Sequence, residues 1–148
     1  MEVVDFGDAI RDGEMRAYLG RRYRLSASHR LFCASLSEAE NRSVYGKCAN
    51  PHGHGHNYTV EVVVGGEIDR ETGMVFDLGR LDGSVCREVV EPFDHQNLNT
   101  LECFRDVVPT TENLVIEIRR RLEKALPQRL IVQVRVEETS NNFFEYSP

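Results

Sequence analysis

The stretch "HNYTVEVVVGGEI", residues 56–68, restricts the fold more than any other part of the chain. Tyr58, Val60, Val62 and Val64 recur with a period of two, which places all four on one face of an extended strand. An apolar face of that kind must be covered by another layer. The remaining patterning says what supplies the cover. In "LGRLDGSVCREVVE", Leu78, Leu81, Val85 and Val89 share a helical face, with Asp77 as the N-cap and Pro92 as the expected stop. In the stretch after Thr110 or Thr111, Leu114, Ile118, Leu122 and Ala125 form a second apolar stripe that Pro127 ends. Further strands are expected in "RYRLSASHRLF", "LIVQVRVEET" and "NNFFEY", with a short return strand after "DRETG". A short helix or turn is expected at "SLSEAENRSVYG", where Ser37 and Glu40 make a capping-box pattern. Strands, two helices and strands again predict an α+β fold: an antiparallel sheet with helices on one face. The sheet edges would need covering or pairing, and oligomerisation is a natural solution.

At 148 residues the chain suits one domain with its own core. Residues 1–20 lack periodicity and read as an accessory N-terminal segment, leaving 21–148 as the domain. A net charge of −6 argues against binding to nucleic acid or an anionic membrane, since each requires a basic face. No apolar run reaches the roughly 20 residues of a membrane-spanning helix, and the acidic start does not resemble a secretory signal. The expected compartment is the cytoplasm, where Cys33, Cys48, Cys86 and Cys103 are expected as free thiols.

Immediately before the strand, "GKCANPHGHGHNY" sets Cys48 beside His52, His54 and His56. On a strand, residues two apart lie about 6.6 Å from each other on one face, and their imidazoles can converge on one ion; residues four apart are separated by about 13 Å. One metal therefore takes His52 with His54, or His54 with His56, unless Gly53 and Gly55 bend the backbone. His29, at the end of another expected strand, offers a third ligand for a zinc-like site. Against this stands an ordinary His-rich surface loop with adventitious metal affinity. Cys48 reads either as a fourth ligand or as a base beside an open metal. "FDHQNL" pairs Asp94 with His95, either as a proton-transfer pair or as a solvated turn. In "VEETSNN" the alternation sends Glu137 and Glu138 to opposite faces. No Walker or dinucleotide loop, H-E-x-x-H or G-x-S-x-G motif is present.

Taken together, "SASHRL", "GKCANPHGHGHNYTV", "GEIDRETGMV", "DHQNL", "TTEN" and "EETSNN" resemble, in order and rough spacing, the 6-pyruvoyl-tetrahydropterin synthase and 6-carboxytetrahydropterin synthase family. The likeness runs from about Arg22 to Tyr146 and is nearer the pyruvoyl branch. It implies the tunnelling fold, in which a four-stranded antiparallel sheet carries two helices on one face. Three such sheets close a barrel, and two trimers stack as a hexamer. It also implies a zinc lyase acting on 7,8-dihydroneopterin triphosphate in tetrahydrobiopterin synthesis. His29, His54 and His56 would hold the metal, Cys48 would abstract protons, and Asp94 and His95 would complete the proton relay. Glu138 would anchor the pterin ring, with Glu112 in the same pocket. Two spacings coexist. Cys48-x₅-His54-Gly55-His56 matches the pyruvoyl type, and Cys48-x₃-His52-Gly53-His54 matches the carboxy synthases of queuosine biosynthesis. A non-catalytic metal- or pterin-binding protein is the competing reading of another class.

Overall fold

The structure, a computed structural model, describes residues 15–148. Most of the expected N-terminal segment, residues 1–14, lies outside the described residues. The rest of that segment belongs to the sheet, because the first strand, β1, spans Arg16–His29. It is followed by α1 (Glu38–Tyr45), a 3₁₀ turn at Gly46–Ala49, and β2 (His54–Glu67). A helical stretch begins as α2 (Leu78–Val85), widens into a π turn at Cys86–Val90 and ends as α3 (Glu91–Phe93). Then come β3 (Gln96–Asn97), α4 (Thr111–Ala125), β4 (Ile131–Thr139) and β5 (Asn142–Tyr146).

Among the described residues the sheet has five strands in the order β3-β1-β2-β4-β5. The expected four-stranded, all-antiparallel sheet is therefore corrected. β3 adds a fifth strand, pairing parallel to β1 through Ala27–Gln96 and Ser28–Asn97, and the sheet is mixed. Two residues carry no readable period, so the sequence gives no sign of it. The expected return strand after "DRETG" is also absent among the described residues; turns and bends take its place. There the Asp69 carboxylate accepts from the Glu71 and Thr72 N–H groups and from the Thr72 hydroxyl, and these local bonds compete with a strand ladder.

β1 and β2 form an antiparallel ladder from Arg16–Glu67 to His29–His54. The helix-facing side of β2 buries Tyr58, Val60, Val62 and Val64 completely. Each such side chain contributes about 1.5–3 kcal/mol relative to exposure. They pack with Leu25, Val134 and Val136 of the sheet, with Leu81, Val85, Val89 and Phe93 of the first helical stretch, and with Leu114, Ile118 and Leu122 of α4. Both long helical stretches thus cover one face of the sheet.

Capping follows the sequence. Ser37 and Glu40 complete a capping box on α1, Asp77 accepts from the Arg80 N–H, and Thr110 accepts from the Asn113 N–H. Pro92 does not stop its helix, which continues through Phe93. Proline is tolerated in the first turn of a helical segment, and here the π turn immediately precedes it. Arg119, only 4% exposed, extends from α4 to the carbonyls of Ile131, Val132 and Tyr146, tying the helix to β4 and the end of β5.

Candidate metal centre and active site

The ladder between β1 and β2 ends with His29 directly opposite His54. His56, two residues further along β2, shares the face of His54. The three ring centroids lie 4.6–5.2 Å apart, and the nitrogens they present lie within 4.8 Å of one another. His29 Nε2 and His54 Nε2 are separated by 3.1 Å. β2 starts at His54, which resolves the choice of pair. His52 is exposed in the preceding turn, its N–H donating to Asn50 Oδ1, and it does not belong to the cluster. Gly53 makes the close approach possible. Its φ is +69°, and a Cβ there would sit 2.9 Å from the His29 carbonyl oxygen.

The chemistry of this donor set fits a metal ion. His29 is 1% exposed, and its Nδ1–H donates to the Pro109 carbonyl at 2.7 Å, which leaves the Nε2 lone pair facing the cluster. Desolvation lowers the pKa of His29, against the opposing pull of the Pro109 carbonyl, and His54 and His56 lower it further. Desolvation likewise lowers the pKa of His56. Both imidazoles are therefore held neutral, the form that binds metal. His56 Nε2 is buried without a hydrogen-bond partner, as expected of a nitrogen reserved for a ligand.

Glu138 stands beside the histidines in the same chain. Thr59 pairs with Glu137, so Glu138 emerges on the face of Tyr58 and His56. Its Oε1 accepts from the Thr111 hydroxyl at 2.6 Å, and its Oε2 accepts from Asn142 Nδ2 at 2.9 Å. Burial alone would raise its pKa; these two hydrogen bonds and the imidazoles outweigh burial and hold the carboxyl below its usual range. Tyr58 is fully buried, and burial next to Glu138 keeps its phenol protonated. The hydroxyl has no hydrogen-bond partner, although Thr111 and Cys48 are near. Cys48 is half-buried in the 3₁₀ turn, and its carbonyl accepts from Leu31 N–H, two residues beyond His29. That bond fixes the cysteine-bearing turn against the end of β1.

Asp94 and His95 form a pair elsewhere. Asp94 Oδ2 lies 2.9 Å from His95 Nδ1, and Asp94 Oδ1 accepts from Ser26 N–H at 2.8 Å. The Ser26 N–H, then His95, hold the Asp94 carboxyl below its usual range. His95 has φ 57° and a side chain 82% exposed, at the edge of the sheet rather than in the histidine cluster. It lines a surface groove of ≈ 560 Å³ with Ser26, Ser28, Asn57, Gln96 and Asn97 that extends to His56. Glu112 is exposed in the first turn of α4. One chain thus brings together His29, His54, His56 and Glu138, with Cys48 alongside; it leaves His95 at the sheet edge and Glu112 at the surface. Sequence reasoning took Thr111 first as a cap, named Gly53 as a point where the backbone could bend, and did not single out Asn142. The adjacent threonines of "TTEN" and the repeated asparagine of "EETSNN" were the available signals.

The model of the family described as 6-pyruvoyl tetrahydropterin synthase matches residues 18–148. The 6-pyruvoyl tetrahydrobiopterin synthase of Homo sapiens is 47% identical over 132 residues, covering 88% of this chain and 91% of its own. That of Drosophila melanogaster is 45% identical over 133 residues, covering 88% and 79%. The solved structure of Caenorhabditis elegans 6-pyruvoyl tetrahydropterin synthase superposes with a TM-score of 0.87 at 38% identity, covering 90% of this chain and 96% of that one. The chain belongs to the 6-pyruvoyl tetrahydropterin synthase family.

Proposed function

We propose that this protein is a zinc-dependent lyase that converts 7,8-dihydroneopterin triphosphate to 6-pyruvoyl-tetrahydropterin with loss of triphosphate, serving tetrahydrobiopterin synthesis. The observation that carries this reading is the histidine cluster at the His29–His54 ladder end, with Cys48 in the turn bonded to Leu31 just past β1, in a chain of this family. His29, His54 and His56 would hold the ion. A bound zinc supplies Lewis acidity, making carbon-bound protons next to its oxygen ligands easier to remove.

The chain's own residues do the remaining work. Cys48 takes the proton, and the Asp94–His95 pair carries protons onward, with Asp94 fixing the imidazole's orientation. Glu138, held ionised by Thr111 and Asn142, accepts N–H donors from the amino-pyrimidine edge of the pterin. Glu112, exposed in the first turn of α4, joins the same substrate pocket. The exposed position of His95, apart from the cluster, supports a site completed between chains. In this reading, tunnelling-fold sheets join edge to edge as a trimeric barrel, and two trimers form a homohexamer that brings one chain's His95 to a neighbour's Cys48. No described helix is long and apolar enough to cross a membrane, and the reading places the enzyme in the cytoplasm, bound to neither nucleic acid nor membrane.

The pyruvoyl product is favoured over the carboxy product because β2 begins at His54, which selects the Cys48-x₅-His54-Gly55-His56 spacing and leaves His52 outside. Incubating the zinc-loaded protein with 7,8-dihydroneopterin triphosphate and identifying products by chromatography tests the proposal. Triphosphate and 6-pyruvoyl-tetrahydropterin are expected. Acetaldehyde would identify the carboxy synthase reaction instead, and absence of triphosphate release would leave a metal- or pterin-binding protein.

A further inference from the structure

The Glu138 carboxylate lies against the histidine cluster. Its Oε1 lies 3.6 Å from His56 Nε2 and 3.9 Å from His29 Nε2. In a tetrahedral zinc site with ligand bonds of about 2.0–2.2 Å, neighbouring ligand atoms are separated by about 3.3–3.6 Å. The 3.1 Å between His29 and His54 is slightly below that edge length, and the two Glu138 distances are at and slightly above it. The histidine nitrogens spread to 4.8 Å, so contraction of the cluster by about 1 Å around an ion would bring the carboxylate in as a fourth ligand. The carboxylate is prepared for this role. The Thr111 hydroxyl and Asn142 amide each grip one oxygen, the arrangement that orients metal-ligating carboxylates.

We propose that Glu138 is the fourth metal ligand of the resting site, closing it as His₃Glu until substrate arrives. The inference rests on the metal-centre reading above and deepens it. A substrate oxygen entering the shell displaces Glu138 Oε1. The released carboxylate, still held by Asn142, becomes free to accept the pterin's N–H groups. Substrate binding and opening of the metal are thereby one exchange, and an empty site does not offer an open Lewis acid to water or stray anions.

Cobalt(II)-loaded protein titrated with azide, followed by visible absorption, tests this without pterin substrate or turnover. If Glu138 closes the shell, Glu138→Ala changes the cobalt spectrum and half-saturates at an azide concentration at least about tenfold lower than wild type does. Glu138→Gln, which keeps the side chain's size and replaces the carboxylate by a weaker ligand, falls between them and decides the matter if the alanine variant fails to fold. Superimposable cobalt spectra with equal azide affinities in wild type and variants would overturn the inference alone. Failure of wild type to bind cobalt would overturn it together with the metal-centre reading.

Discussion

Gly53→Ala is the sharpest probe of how the fold builds the site. Two costs arise at this position. An alanine held at φ +69° costs about 1–2 kcal/mol from its own backbone sterics. The new methyl also meets the His29 carbonyl oxygen at 2.9 Å and its carbon at 3.4 Å. Both are backbone atoms of the facing strand, so no side chain can rotate away, and overpacking of this kind costs about 1–3 kcal/mol. Reduced entropy of the unfolded chain returns about 0.4–1 kcal/mol. The balance is a loss of about 2–4 kcal/mol. The strain falls at the pair His29–His54, so metal affinity should drop as well. Gly73 supplies the control: its φ is +71°, but a Cβ there meets nothing within 4 Å. Gly73→Ala carries only the backbone cost, stays within about 1–1.5 kcal/mol of wild type, and leaves the site intact. Urea unfolding of the metal-free proteins, with chelator competition for zinc, measures both effects. Equal stability and equal zinc affinity for the two variants would refute the argument that Gly53 exists for close approach at the site.

Three further outcomes are expected. Metal-free protein should lose stability on acidification: burial depresses the folded pKa of His29 and His56, so the unfolded chain binds more protons below about pH 6.5, and stability present above that pH falls as the pH drops towards the folded values. Denaturant midpoints at pH 7.5, 6 and 5 check this, and His29→Gln should flatten the dependence. Arg119→Met should cost about 2–4 kcal/mol, since it leaves the Ile131, Val132 and Tyr146 carbonyls without their shared donor, and amide exchange in β5 should accelerate before that in β2. Asn41→Ala should cost about 2–3 kcal/mol in a thermal or urea melt. The buried Asn41 amide accepts from Cys33 N–H and donates to the Cys33, Leu36 and Ser37 carbonyls, anchoring α1 to the loop before it.

Legibility in the sequence follows the length over which a pattern acts. The alternation from Tyr58 to Val64 and the stripe from Leu114 to Leu122 were readable because the same face is buried repeatedly, and both elements stand where expected. The first residues of β1 were not readable: none of Arg16 to Gly20 is fully buried, so no strong apolar face marks them, and the ladder to β2 holds them extended. β3 depends on Asp94 and His95 bonding to Ser26, a contact between segments 68 residues apart that no local window contains. At the site, strand arithmetic restricted the histidines to neighbouring pairs but needed the start of β2 to choose between them. The alternation separated Glu137 from Glu138 correctly. Only the register Thr59–Glu137 brings Glu138 to the histidines, and register is a tertiary property.

Zinc stoichiometry in single-histidine variants tests the central claim most directly. The account predicts one ion per chain in wild type and in His52→Ala, and almost none in His29→Ala, His54→Ala or His56→Ala, because His54 opens β2 opposite His29 while His52 stays in the exposed turn. Loss of zinc from His52→Ala with retention in His56→Ala would contradict it, and would move the metal, and with it the choice of reaction, to the other register.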